Sequence, residues 1–297
     1  MHLIGSKRRI CSRQGRDGLA VIHKAKVVEA IKSTGNVKEQ YSNDKNLATR
    51  ITLHEKYSTN KQGFAPWLFG IYRFLPNNTV LELGCGNGGQ WDGRIGLLPR
   101  DCRLILSDNS EGMVNVTKSK FEMYSESVSF RQIDIQNIPF EDNSFDAIIA
   151  NHMLYHVPDL RQALSEVCRV LKKGGIFYAS TNGNGGMSLF LHNAVKKFDA
   201  DTAAFAQDFP FSLQNGSEIL SPFFSLVTRH DYKDSLSITK TKDLMDWIKS
   251  IISIYGCNEE TLGKLHDYFD NIRRRDGCIH IPKEVGVFVC IKNGAGL

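Results

Sequence analysis

No two cysteines of this chain stand in a C-x-x-C pair, and none lies beside histidines at a spacing that would hold zinc. The seven cysteines, at positions 11, 85, 102, 168, 257, 278 and 290, are scattered and odd in number, so they read as reduced thiols in a cytoplasmic compartment. An apolar run of the ~20 residues needed to cross a bilayer is missing, as is the apolar h-region of a secretory signal, which predicts a soluble protein with no membrane attachment. There is no internal repeat and no low-complexity tract. An excess of one sign of charge is lacking, with a net value of only +5. No basic stripe interleaved with aromatic residues is present, so nucleic acid is not expected as a partner.

What charge excess exists lies early. Lys7, Arg8, Arg9, Arg13, Arg16, Lys24 and Lys26 face one acid, Asp17. Residues 1–40 form a basic N-terminal extension, either helical over "LAVIHKAKVVEAIKS" or disordered, and its Arg-rich start reads as a frayed tail or an organelle transit peptide. Residues 41–78 carry enough aromatic residues, Phe64 and Trp67 among them, to pack over the rest as a lid segment.

From Val80 onward short apolar runs alternate with helical periodicity, the mark of βαβ units. "TVLELG", "RLILSD", "VSFRQID", "SFDAIIAN" and "GIFYAST" read as five strands. A helix starts at the capping Ser110; the clearest helix follows Asp159, with Leu160, Ala163, Leu164, Val167, Val170 and Leu171 on one face and Gly174 past its end. Such alternation implies an α/β fold with a parallel sheet covered on both faces. The rhythm breaks after Thr181. An irregular, partly helical insertion spans about 182–221, strand character returns at "FFSLVTRHDY" and "VGVFVCIK", and between these two helices are expected within 233–284.

The stretch "LELGCGNGGQW" sends an apolar strand into a turn with four glycines, where no Cβ blocks a ligand and positive φ is tolerated. Its glycines fit either Gly84-x-Gly86-x-Gly88 or the dinucleotide pattern through Gly84, Gly86 and Gly89, so they leave the ligand open. Asp108 ends the second strand, 20 residues beyond Gly88, where a carboxylate can accept both hydroxyls of a ribose. Asp134 ends the third and can accept an adenine amine, with Met113 and Ile135 as apolar neighbours of the ring. Those two acids, with Glu82 as a third, would repel a pyrophosphate but suit a ligand carrying a sulfonium and an ammonium.

These residues resemble the class I S-adenosylmethionine-dependent methyltransferases, with a core similar to types 11 and 25. "LELGCGNG", "LSDNSEGM", "RQIDIQNIPFEDNSFDAIIANHMLYHV" and "LKKGGIFYAS" match the family's successive motifs over Thr79–Thr181. The resemblance implies a Rossmann-like, doubly wound, mostly parallel seven-stranded sheet with an antiparallel last strand, helical lid and cap insertions, and a methyltransferase domain over 79–297. It implies S-adenosyl-L-methionine as cofactor and S-adenosyl-L-homocysteine as product. By position, Glu82, Gly84, Cys85, Gly86 and Gly88 would meet the methionyl end, Asp108 and Asn109 the ribose, Met113, Asp134 and Ile135 the adenine, and Asn151 and Met153 the sulfonium. Similarity at "LHEKYSTN" adds Tyr57, Ser58 and Asn60 as a lid over the cofactor. Cys85 reads as a filler of the turn and not as a nucleophile, because no basic residue adjoins it.

Methyl transfer needs an aligned acceptor and in some cases a base. His156, following the fourth strand at the sheet's carboxyl edge, is the candidate, with His152 and Tyr155 as rivals. No metal ion is expected. The expected acceptor is a nitrogen or oxygen of a small molecule; an RNA methyltransferase, an NAD-dependent oxidoreductase and a non-catalytic cofactor-binding module are the alternatives.

Overall fold

A computed structural model describes residues 44–293 apart from 203, 207 and 252–256, with side chains from residue 51. The N-terminal extension and its helical reading lie outside the described residues. Five parallel strands are set down first: β1 (Thr79–Leu83), β2 (Arg103–Asp108), β3 (Val128–Gln132), β4 (Phe145–Asn151) and β5 (Leu171–Asn182). With β6 (Leu226–Asp231) and β9 (Val285–Ile291) they form one sheet in the order β3-β2-β1-β4-β5-β9-β6. β9 runs antiparallel to both neighbours, as expected of the last strand. Leu81, Ile148 and Phe177 fill one face of the sheet; Val80, Ile149 and Tyr178 fill the other. Burial on both faces is why these strands read as continuous apolar runs.

The chain moves outward from β1 through β2 to β3, then returns to place β4 on the other side of β1. That reversal leaves a crevice beyond the carboxyl ends of β1 and β4, the place where open α/β sheets bind ligands. Helices α3 (Glu111–Phe121) and α4 (Leu160–Val170) cross between strands, each started by a side chain that accepts an amide: Ser110 from Met113 and Asp159 from Gln162. Helix α4 ends at Val170, earlier than expected. Leu171 is extended and pairs with Phe145 at the head of β5, and Gly174 serves a bulge there instead of a helix end. From Leu171 to Ile176 the chain advances five positions against two on β4. Gly174 takes φ 73°, and a Cβ on Gly175 would stand 2.8 Å from the Lys172 carbonyl oxygen, which accounts for the paired glycines.

A second core sits beyond the crevice. Helices α1 (Asp44–Tyr57), α2 (Phe64–Phe69), α5 (Met187–Val195), α6 (Gly216–Leu220), α7 (Thr241–Ser250) and α8 (Glu259–Asp276) lie outside the βαβ pattern. The two helices expected before the last strand are α7 and α8. The sequence reading missed the strands flanking them, β7 (Ser235–Ile238) and β8 (Ile279–Pro282), which pair antiparallel as a small separate sheet. Leu236, Ile238, Leu244, Ile248, Leu265, Phe269, Ile279 and Ile281 bury together there with Leu53 and Tyr57 of α1. Among the described residues no helix is long and apolar enough to cross a membrane, and the six cysteines are free thiols.

Candidate functional site

At the carboxyl ends of β1 and β4 the backbone makes the first wall of the site. Gly84, Gly86 and Gly88 all take positive φ, 71°, 56° and 71°. They differ in what surrounds them. Gly86 has open space where a Cβ would stand, and Gly84 would drive a Cβ to 2.9 Å from Met153 Cγ. Gly88 does not reach the cavity: a Cβ there would meet Phe121 Cε2 at 2.6 Å, so its bareness serves close packing on α3. Cys85 is buried, and burial, followed by the charges of Glu82 and Asp108, pushes its thiol well up, which suits a filler and not a nucleophile.

Asp108 is clamped where β2 ends. Its Oδ2 accepts from the Gly86 amide at 3.0 Å and its Oδ1 from the Ser110 amide at 2.9 Å. Burial raises its carboxyl above the ordinary range against the pull of those amides and that of Asn109. Asp134 lies just past the end of β3, held by the Gln136 amide at 2.9 Å, with Ile135 buried beside it. Asn109 and Met113 line the same wall.

Glu82 lies one layer below. It is 1% exposed and does not line the cavity. Trp91 Nε1 donates to its Oε2 at 2.5 Å and Asn151 Nδ2 to its Oε1 at 3.0 Å. Burial first, with Asp108 adding, pushes its carboxyl up to about 7. Asn151 also donates to the Tyr72 hydroxyl and accepts from Ser180, so its amide is fixed from three sides. Burial among neutral donors leaves this carboxyl without a compensating positive charge, so a cationic ligand bound above it would favour its ionised form.

These walls bound a cavity of about 1030 Å³. Gly84, Cys85, Gly86, Asp108, Asn109, Met113, Asp134, Ile135, Asn151, Met153 and His156 line it, as do the rivals His152 and Tyr155. Glu82, Gly88 and Tyr57 do not. Tyr57 turns away into the cap core, where its hydroxyl donates to Asp243 Oδ2 at 2.7 Å; Ser58 and Asn60, just past the end of α1, face the cavity. Trp91 is wholly buried and Trp67 packs on Tyr232, whereas Phe64 reaches the cavity wall.

The far wall holds residues that the sequence did not single out: His54, Asp234 and Lys283. Lys283 Nζ meets Asp234 Oδ2 at 2.5 Å with the aspartate side chain fully buried. Burial works to raise the Asp234 carboxyl, but Lys283, the Asn60 amide and the Ser58 hydroxyl hold it below the ordinary range. His152 takes φ 51°, rare for a residue with a Cβ, and its ring lies 5.2 Å from that of Phe64. Burial and then Lys283 lower its pKa to about 4, so its ring is neutral at neutral pH. A positive-φ histidine directly after the β4 asparagine leaves no sequence signal, and Asp234 and Lys283 come together from 49 residues apart.

The bare cradle and the donor set fit S-adenosylmethionine. Open space at Gly86 allows close approach, two clamped acids stand at strand ends where ribose and adenine need acceptors, and a third acid lies beneath the turn. Residues 81–179 match the family profile described as "Methyltransferase domain". A sterol 24-C-methyltransferase of Gibberella zeae is 34% identical over 128 residues, covering 43% of this chain and 31% of that protein. A demethylmenaquinone methyltransferase of Bacteroides fragilis is 45% identical over 75 residues, 25% of this chain and 31% of the relative. The chain thus matches about a third of the length of these curated relatives. The solved structure of the YcgJ protein from Bacillus subtilis superposes with a TM-score of 0.54 at 21% identity, covering 78% of this chain and 98% of that one, a likeness of fold. Residues 81–179 therefore carry a methyltransferase domain of the class I fold, and the cradle fits S-adenosylmethionine as its cofactor.

Proposed function

We propose that this chain is an active methyltransferase that transfers the S-methyl group of S-adenosylmethionine to a nitrogen or oxygen atom of a small metabolite or natural product. One observation carries the reading: the glycine turn and the two strand-end acids share a single cavity with the aromatic and polar side chains of the cap. That cavity is larger than the cofactor end alone requires and is roofed by Phe64, the kind of enclosure a small molecule fills. Relatives named for a sterol and for demethylmenaquinone support a small acceptor.

The bound cofactor supplies a methyl group already activated on a sulfonium. The chain's residues bind, orient and exclude water. In this reading Asp108 accepts the ribose hydroxyls, with Asn109 beside it. Asp134 and the Ile135 backbone take the adenine, and Met113 packs on the ring. Glu82 supplies charge for the ammonium, and Asn151 and Met153 border the sulfonium. Residues 41–78 act as a lid, and 182–221 and 233–284 as caps that keep water out. His156, in the turn after β4 with its ring 4.5 Å from that of Tyr155, takes the acceptor's proton. Free cysteines among the described residues support a cytoplasmic setting.

The test is incubation with methyl-labelled S-adenosylmethionine and a fractionated metabolite extract, read by mass spectrometry. A small product heavier by one labelled methyl group supports the proposal. Label found only in RNA, or in nothing while S-adenosylmethionine binds, would overturn it.

A further inference from the structure

Beside the main cavity lies a smaller pocket of about 120 Å³ between α1, α7 and the loop that enters α5. The two share His54, Asn182, Lys283 and Val285 in their walls, so the smaller one is a pouch off the acceptor side. Met187, Phe209 and Val285 give it apolar surface.

Two polar atoms among the pouch residues are buried without a hydrogen-bond partner among the described residues: His54 Nδ1 and Trp247 Nε1. Their rings stand perpendicular with centroids 6.4 Å apart. Other polar groups nearby are satisfied. Lys283 pairs with Asp234, and Glu284 Oε2 accepts from the Gly185 amide at 2.7 Å and from Gln214 Nε2 at 3.1 Å. A buried polar group left unpaired costs about 1–3 kcal/mol, so two on neighbouring rings of residues that wall one pouch point to a ligand group that completes them.

The chemistry of the two atoms narrows that group. An indole N–H can only donate. Burial and Lys283 lower the His54 pKa to about 3, so its ring is neutral and Nδ1 can accept a proton in a hydrogen bond. A hydroxyl meets both demands, accepting from the indole and donating to the imidazole. With the His54 proton on Nε2, a carbonyl or ether oxygen would satisfy only Trp247 and an ammonium only His54; a hydroxyl, which donates once and accepts twice, satisfies the pair in either tautomer.

We propose that the pouch is a hydroxyl-binding subsite, in which Trp247 Nε1 and His54 Nδ1 hold an alcohol or phenol hydroxyl of the acceptor and so select a hydroxylated substrate. The proposal rests on the methyltransferase reading of the main cavity. The hydroxyl held there orients the acceptor molecule.

The experiment uses the full chain saturated with S-adenosylhomocysteine, with its tryptophan indoles labelled with nitrogen-15, and two probes that differ by the hydroxyl, phenol and toluene. The Trp247 signal is assigned by its loss in Trp247→Phe. Phenol is expected to move that signal saturably and to bind about tenfold more tightly than toluene, one good hydrogen bond's worth. In Trp247→Phe and in His54→Phe the preference should fall to within about twofold, while S-adenosylhomocysteine affinity stays at the wild-type value and shows each variant folded. Equal binding of the two probes by the wild type, or phenol binding that leaves the Trp247 indole unmoved because a water keeps it occupied, would overturn the proposal. Failure of the wild type to bind S-adenosylhomocysteine would instead overturn the cofactor reading, and the phenol and toluene titrations of the free chain would still decide the pouch.

Discussion

At the carboxyl ends of β1 and β4 the cavity wall is tied together over short stretches, whereas across the cavity it is assembled from distant ones. Asp108 is held by Ser110, two residues on, and by Gly86, 22 residues away on the neighbouring strand's turn. On the cap side Ser58 bonds Asp234 from 176 residues away, and Tyr57 bonds Asp243 from 186. The cofactor wall therefore depends on backbone conformation and strand ends, which the sheet fixes. The cap-side wall depends on side-chain pairs between segments far apart in the sequence. Damage to the first should remove cofactor binding from a folded chain, and damage to the second should loosen the cap while leaving cofactor binding largely in place.

The largest expected effect is on the cap. Asp234→Ala strands Lys283, whose side chain is 13% exposed, without its partner and should destabilise the protein by about 3–5 kcal/mol in denaturant unfolding. Hydrogen exchange should rise first in β7, β8 and residues 58–60. Equal loosening of β1 and β4 would erase the contrast between the two walls. Gly84→Val attacks the other wall, by putting a β-branched residue at φ 71° and its Cβ against Met153. Calorimetry should show cofactor affinity reduced by about 3 kcal/mol or more, with circular dichroism unchanged.

His156→Ala tests the chemistry within the shared space. Turnover should fall by about a hundredfold with S-adenosylhomocysteine affinity unchanged, and wild-type turnover would remove it as the base. Asp108→Ala should weaken the cofactor by about 2 kcal/mol through lost charge-assisted bonds. The smallest effect is expected at Glu82. Its carboxyl is pushed up to about 7 from an ordinary 4.5, so between those values the folded chain keeps a proton that the unfolded chain has released. Stability of the cofactor-free protein should fall as pH rises through that window and level off above it. Glu82→Gln should remove that dependence, raising the unfolding free energy relative to wild type more at pH 8 than at pH 5, by about 1 kcal/mol or more, while cofactor affinity falls. A pH-independent difference between the two proteins would show that the carboxyl ionises freely in the fold.

The same contrast explains what could be read from sequence. Strand ends followed by glycines or by a capping serine leave local marks, and Gly84, Gly86, Asp108 and Asp134 stand where those marks placed them. Gly88 carried the same mark for another reason, the approach of Phe121, because bareness at a turn does not tell what comes close. Tyr57 was expected at the cavity and instead packs into the cap core. At the end of a helix a rotation of one residue decides which side chain faces inward, and the partner that fixes it, Asp243, is far off in sequence. The β7 and β8 strands are only four residues each and pair across two helices, too short and too distant to show a period. His54 and Trp247 gave no signal at all: each is an ordinary member of a helix until the two rings meet.

Calorimetric titration of the full chain with S-adenosylhomocysteine, run beside NAD, tests the central claim most directly. The account predicts saturable binding of S-adenosylhomocysteine that Gly84→Val abolishes and Asp108→Ala weakens, and no heat with NAD. Binding of NAD alone, or S-adenosylhomocysteine binding indifferent to both substitutions, would contradict it.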